Sequence, residues 1–193
     1  MGIFGPSQRE TWQELAEEID GEYIEEGFWK SKKVVAKFEN WTFTLDTFVR
    51  SSGKTSTTYT RMRVPYKTKD EFKFKIYRKG LFSNIGKALG MQDIEIGYPD
   101  FDDKFIIKGS NEAKIVDLFS NDKIRELINN QDRILLEIRD NKGFFSPPAE
   151  EGEYELYFES IGVIKDIERL KNLFMLMVLV LNRLTIIGSA KDE

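Results

Sequence analysis

The feature that most constrains the fold is a long region of alternating apolar and polar residues between Glu22 and Arg78. Successive side chains of a β-strand point to opposite faces, so a period of two predicts strands. The turn-rich segments Ser51–Lys54 and Lys67–Glu71 interrupt the pattern. The alternation predicts strands over Glu22–Trp29, Lys33–Glu39, Trp41–Arg50, Thr57–Val64 and Phe72–Arg78.

Helical patterns flank this region, and they come mostly late in the chain. Ser7 followed by Glu10 has the spacing of a capping box and predicts a helix that ends near Ile19. Ser110 and Asn121 are the expected caps of two further helices. We predict helices over Leu81–Leu89, Asn111–Phe119, Asp122–Asn130 and Ile164–Ile186, and strands over Asp93–Ile96, Lys104–Lys108, Arg133–Arg139 and Glu153–Ser160. Regular βαβ alternation is missing, which predicts a single α+β domain over residues 1–193, with a mainly antiparallel sheet.

The 193 residues include no histidine and no cysteine. Histidine is the usual general base and the commonest metal ligand, so a Ser–His–Asp triad, a Cys–His pair and the standard zinc sites are excluded. We therefore expect no catalytic residue, no metal site and no cofactor. The absence of cysteine fits a reducing compartment, and residues 1–7 show no leader pattern, so we expect a cytoplasmic protein without a transmembrane segment.

Charge is strongly segregated although the net charge is only −4. The segment Arg50–Lys87 has eleven Lys/Arg and two acidic residues, a local balance of +9. By contrast, Glu10–Glu26 has eight acidic residues and no basic one. Asymmetry of this kind is typical of an interaction surface.

The basic segment contains the strongest candidate site. We predict that Thr57–Val64 and Phe72–Arg78 form a hairpin, with Met62, Val64, Phe72, Phe74 and Ile76 on its buried face. The opposite face then carries the candidate ligand-binding residues Tyr59, Arg61, Arg63, Lys73, Lys75 and Tyr77. Adjacent like charges destabilise a sheet, so these cations need solvent or an anionic partner. Cations interleaved with aromatic rings suit phosphates and stacked bases, while an ordinary solvated face is the simpler alternative.

Two other segments are weaker candidates. Asp100, Asp102 and Asp103 lie in the acidic loop Gly97–Asp103, but they lack the spacing, the glycine and the terminal glutamate of an EF-hand calcium loop. Gly80–Ala88 resembles a phosphate-binding P-loop, but its glycines are spaced too far apart and Ala88 replaces the required Ser or Thr. Neither segment therefore predicts a metal or nucleotide site.

The last predicted helix, Ile164–Ile186, contains the wholly apolar run Leu173–Leu181, which is too short to span a membrane. Leu176 and Leu179 fall opposite its main apolar stripe. A helix that is apolar all round is buried all round, either in its own core or against a partner. We favour a homodimer or other homo-oligomer through this helix, because its first half has the pattern of an ordinary amphipathic helix.

Several segments together resemble an uncharacterised family of prokaryotic proteins that has no assigned activity. The segments that carry the resemblance are Tyr59–Tyr66, Phe74–Gly80, Gly90–Gly97, Phe101–Gly109, Leu156–Phe158 and Ile164–Leu170. The resemblance extends over most of the chain and implies one whole-chain domain. It supplies no catalytic residues.

These observations favour a non-enzymatic binding or assembly protein. Its basic–aromatic face would take an anionic partner: a phosphate-bearing ligand, an anionic membrane surface or a nucleic acid. The first alternative is an enzyme for a small anionic substrate that depends on carboxylates or lysine, with Asp100–Asp103 close to the basic face. The second is an inert structural domain.

Overall fold

The computed structural model describes residues 6–26, 31–80, 91–140 and 152–191. Its strands are β1 (Gly21–Glu26), β2 (Ser31–Phe38), β3 (Trp41–Ser52), β4 (Thr55–Lys67), β5 (Phe74–Arg78), β6 (Gln92–Asp93), β7 (Phe105–Gly109), β8 (Leu135–Asp140) and β9 (Glu153–Ile161). They form one nine-stranded sheet in the order β1-β2-β3-β4-β9-β8-β5-β7-β6. Every pair of neighbours is antiparallel. The α+β class with a mainly antiparallel sheet is therefore confirmed.

The helices are α1 (Gln8–Glu18), α2 (Pro99–Asp102), α3 (Glu112–Ser120), α4 (Asp122–Asn129) and α5 (Ile167–Ile186). The predicted capping box is present, because Ser7 and Glu10 each accept a hydrogen bond from the backbone N–H of the other. Asn121 caps α4 as predicted, whereas α3 is capped by Asn111 and not by Ser110. The helix predicted over Leu81–Leu89 and most of the segment compared with a P-loop lie outside the described residues.

The predicted hairpin between Thr57–Val64 and Phe72–Arg78 is wrong. Strand β4 pairs with β3 and β9, whereas β5 pairs with β7 and β8. The connection after β4 is held by the end of the chain instead, since Lys69 N–H donates to the Ser189 carbonyl and Thr68 forms a bridge with Ala190. The turn residues therefore mark a change of direction without making the two strands neighbours.

One face of the sheet, the inner face, packs against the helices. The five residues predicted to be buried there are confirmed, because each is at most 3% exposed. They join one core cluster with residues of all five helices: Trp12 of α1, Phe101 of α2, Ile115 of α3, Ile124 of α4 and Leu181 of α5 are examples. Alternation along the strands thus places the apolar side chains against a helical layer and the intervening side chains on the opposite, outer face.

Helix α5 lies in this core. Leu173, Leu176 and Leu181 are fully buried in the chain's own fold, and Leu179 is partly buried. Burial in the chain's own fold accounts for the apolar run without a second subunit, and a homo-oligomer through this helix stays a prediction. Packing against the sheet and against helices on both flanks buries a helix on more than one side, which the sequence pattern cannot distinguish from burial by a second subunit.

Among the described residues, no helix combines the length and the apolar character needed to cross a membrane.

Candidate functional site: the outer face of the sheet

The structure places all the predicted ligand-binding residues on the outer face, but in two groups. Tyr59, Arg61 and Arg63 lie on β4. Lys73 is the residue immediately before β5, and Lys75 and Tyr77 lie on that strand. Strands β9 and β8 separate the groups. The prediction of the face is correct, and the expectation that the cations are adjacent is wrong because the two strands are not neighbours.

The intervening and flanking strands supply carboxylates to these cations. Asp46 on β3 accepts from Arg61 Nε at 2.5 Å and from Arg63 at 2.9 Å. We call these residues the Asp46 cluster. The register explains the contact, since Asp46 lies directly opposite Arg61. The first group of cations therefore has an internal anionic partner.

The second group is arranged in the same way. Glu137 on β8 lies directly opposite Lys75 and contacts the Lys75 Nζ at 2.7 Å. Arg139 contacts the other carboxylate oxygen of Glu137. We call Glu137, Lys75 and Arg139 the Glu137 cluster. Lys73 has a partner of its own, Asp140, at 3.1 Å.

Each of these two clusters holds two cations around one carboxylate, which leaves a formal charge of about +1 on each. The shared carboxylates are well shielded, because the side chains of Asp46 and Glu137 are only 14% and 7% exposed. The guanidinium of Arg63 and that of Arg139 are more accessible, with side chains 32% and 37% exposed. Arg63 and Arg139 are therefore the most accessible members of their clusters, and the shared carboxylates are the least accessible.

A third cluster lies near the start of β4. The fully buried carboxylate of Glu159 accepts two hydrogen bonds of 3.1 Å from Arg50 and one of 2.8 Å from the Tyr157 hydroxyl. We call these residues the Glu159 cluster. Burial raises the pKa of Tyr157, so its hydroxyl keeps its proton and remains a donor at neutral pH. This cluster is charge-balanced and fully satisfied.

Among the described residues, the accessible aromatic surface of the outer face is a stacked pair of rings. The rings of Phe48 and Tyr59 lie 5.2 Å apart, and the Arg50 guanidinium lies 4.8 Å from the Tyr59 centroid. Tyr77, also predicted to flank a ligand, is only 9% exposed. Tyr157 lies beneath the Arg139 guanidinium, at 3.3 Å. Tyr59 is thus the more accessible of the two predicted flanking tyrosines, and Tyr77 is largely covered.

Glu155 on β9 lies between the Asp46 and Glu137 clusters. In register it is opposite Arg139 on one side and Pro65, two residues after Arg63, on the other. Burial raises its pKa above the ordinary value, and the positive charges of Arg63, Arg139 and Arg61 oppose this shift without cancelling it. Perturbed carboxyl groups of this kind are concentrated at functional sites.

The acidic loop has a structural role in the helical layer. The Asp102 carboxylate accepts hydrogen bonds from the backbone N–H groups of Ile96, Gly97 and Tyr98, at 2.9–3.1 Å. Within the described residues, no group of three or more acidic side chains is placed to hold a metal ion. Asp102 therefore closes its own loop.

A cavity of about 330 Å³ adjoins this loop and is lined by Tyr98, Pro99, Asp100, Phe101, Arg125 and Asn129. Arg125 and Asn129 both belong to α4, and the Phe101 ring packs against the rings of Phe105 and Phe119. The cavity therefore belongs to the helical layer. This cavity is lined by none of the predicted ligand-binding residues, so it does not join Asp100–Asp103 to the outer face as the enzyme hypothesis requires.

Sequence reasoning missed the carboxylates of this site. The sequence pattern predicts no role for Asp46, Glu137, Glu155 or Glu159. Glu155 and Glu159 nevertheless follow the same period of two as the apolar residues of β9. That alternation was a readable signal that these groups share a face. Which cations they meet depends on the strand order, which the alternation does not specify.

The chain matches no protein-family model, no curated protein and no solved structure. The resemblance to an uncharacterised prokaryotic family stays a prediction.

Proposed function

We propose that this chain is a cytoplasmic, non-enzymatic binding protein that takes a phosphate-bearing ligand on the outer face of its sheet. The observation that carries the proposal is the ratio of two cations to one shielded carboxylate in the Asp46 and Glu137 clusters. Each cluster presents guanidinium or ammonium donors outwards and retains one positive charge for a ligand. Arginine is suited to this role because its planar fork matches phosphate oxygens.

The stacked pair of Phe48 and Tyr59 supports the same proposal. The Arg61 guanidinium lies 5.0 Å from the Phe48 centroid and also belongs to the Asp46 cluster. A planar ligand group can stack beside these rings while its phosphate meets Arg61 or Arg63. The arrangement combines an aromatic surface and excess positive charge within one cluster.

A homo-oligomer through α5 has less support. Met175 and Ile186 of this helix are exposed, at 49% and 71%, and the run between them is largely buried in the fold. We therefore place the proposed function on the outer face alone.

The test measures binding at low salt of three probes: inositol hexakisphosphate, a single-stranded RNA oligonucleotide, and phosphatidylserine-containing vesicles beside neutral ones. Binding of inositol hexakisphosphate alone identifies a small phosphate ligand. Binding of the RNA or of the phosphatidylserine-containing vesicles identifies the macromolecular source of the phosphate. For any probe that binds, affinity should fall as salt rises, with a log–log slope of about −0.9 per phosphate contacted on a duplex and less on single strands.

Substitutions of opposite sign make the test specific. Arg63→Gln and Lys75→Gln remove a cation from each cluster and should weaken binding, and each should reduce the salt slope by about one contact. Asp46→Asn leaves Arg61 and Arg63 without their carboxylate and should tighten it. Lys123→Gln is the control, because Lys123 is an exposed cation on α4, paired with Glu126.

Two results would overturn the proposal. The first is an absence of binding to every probe at low salt. The second is binding that responds to all three outer-face substitutions as it does to Lys123→Gln, since that response reflects only the net charge of the protein.

A further inference from the structure

Glu155 lies on β9, the strand that runs between the Arg61 and Arg63 side and the Glu137 side of the proposed site. Neighbouring strands lie about 4.8 Å apart, so β4 and β8, on either side of β9, are separated by about 10 Å. In register, Tyr157 of β9 separates Arg63 from Glu137, and Glu155 is the next outer-face residue of that strand, opposite Arg139. A ligand that contacts both Arg63 and Arg139 therefore crosses β9 beside Glu155.

Charged and titratable groups surround Glu155 on every adjacent strand. On the outer face these groups are Asp46 of β3, Arg61, Arg63 and Lys67 of β4, Glu153, Tyr157 and Glu159 of β9, Glu137 and Arg139 of β8, and Lys75 of β5. Asp46, Glu137 and Glu159 each have direct hydrogen bonds or ion pairs to arginine or lysine.

Glu155 is in a different position. Burial penalises its charged form more than Arg63, Arg139 and Arg61 favour it, and its pKa is raised. An arriving anion would draw on the same arginines and would add a repulsive charge of its own. Both effects favour the neutral acid, whose O–H becomes a hydrogen-bond donor to the ligand.

We infer that binding of an anionic ligand to the outer face is coupled to the uptake of one proton by Glu155. The inference rests on the proposed function and adds its regulation: affinity rises as the pH falls. For one coupled proton, affinity changes by at most about tenfold per pH unit between the free and bound titrations.

The composition of the chain makes this coupling measurable. Histidine is the side chain that ordinarily titrates between about pH 5 and pH 8, and the chain contains none. Apart from the terminal amine, proton uptake in this range therefore comes from a perturbed group. Few other groups therefore contribute to the proton uptake against which that of one glutamate is measured.

The experiment uses sucrose octasulfate as the probe, because its sulfate esters keep a constant charge over this range. Binding is measured by calorimetry between about pH 5 and pH 8, in buffer pairs of different ionisation enthalpy, which counts the protons taken up. The wild-type chain should take up as much as one proton and should bind more weakly as the pH rises. Glu155→Gln should bind more tightly at the upper end of the range and should lose the pH dependence.

Glu126→Gln is the matched control, since Glu126 is an exposed glutamate on α4, and it should behave as the wild type does. Binding without proton uptake by the wild-type chain overturns the inference and leaves the proposed function intact. The same holds if Glu155→Gln retains the wild-type pH dependence. If neither chain binds the probe at any pH, the proposed function itself fails and the inference with it. The wild-type proton count is sufficient by itself if the variant does not fold.

Discussion

Phe158 and Glu159 are consecutive residues of β9, and both are fully buried, but by different means. Phe158 points to the inner face, where its neighbours in register are Met62 and Leu136. Glu159 points to the outer face, where Arg50 and Tyr157 hold its carboxylate. One strand thus carries a hydrophobic core on one side and a charged network on the other.

The comparison shows that equal burial does not mean equal requirements. Apolar packing is non-directional, so the inner face depends on volume and tolerates other apolar residues of similar size. A buried carboxylate depends on named donors in a fixed geometry, and the loss of one partner leaves the others unsatisfied. The loss of stability should therefore follow the change in side-chain volume for substitutions on the inner face, and the change in charge for substitutions on the outer face.

The largest effect is expected for Phe158→Ala on the inner face. Truncation removes a fully buried ring and leaves a cavity, which costs about 3–5 kcal/mol in similar cases. The free energy of unfolding, measured in urea, gives the value directly. A loss smaller than that of Glu159→Gln would mean that the outer network, and not the core, dominates stability around β9.

An intermediate effect is expected for Glu159→Gln. The substitution keeps the shape of the side chain and removes its charge. One of the two carboxylate oxygens that accept from Arg50 becomes an amide nitrogen, which can only donate, and the expected cost is about 1–3 kcal/mol. Glu126→Gln, on the exposed surface of α4, is the control and should change stability by about 0.2–0.5 kcal/mol. Equal effects of the two substitutions would mean that the Glu159 cluster contributes no more than a surface pair.

The inner face could be predicted from the sequence because its information is local. Alternation places Met62, Val64 and Phe74 on the buried side whichever strands lie beside them. The same reasoning correctly placed the candidate cations on the opposite face. The predicted hairpin failed because it also required a choice of partner strand, and that choice depends on residues far along the chain.

The outer face could be predicted only in part for the same reason. Arg50 and Glu159 are 109 residues apart, so their contact follows from the strand order and not from local pattern. The pattern of α5 is ambiguous in a similar way: the run around Leu176 requires burial, but it does not specify whether the chain itself or a second subunit provides it. Local periodicity thus predicts faces, and only the tertiary structure defines partners.

The smallest effect is expected for Glu155→Gln, and its sign depends on pH. Burial raises the folded-state pKa of Glu155 above its ordinary value of 4.5, so the folded chain holds this proton more tightly than the unfolded chain. The resulting stabilisation is fully present below the unfolded pKa and is lost as the pH rises through the folded pKa. Glutamine cannot titrate. The unfolding free energy of Glu155→Gln should therefore increase relative to that of the wild-type chain as the pH rises from about 4 to about 7.

Glu126→Gln is the control for this measurement, because Glu126 is an exposed glutamate on α4 and not a residue of the outer face. A difference for Glu155→Gln that is constant, or that decreases with rising pH, would mean that its carboxylate is stabilised by the arginines and not penalised by burial. That result would contradict a raised pKa of Glu155. An increasing difference would support the raised pKa, and with it the proton that Glu155 is inferred to exchange, without any ligand present.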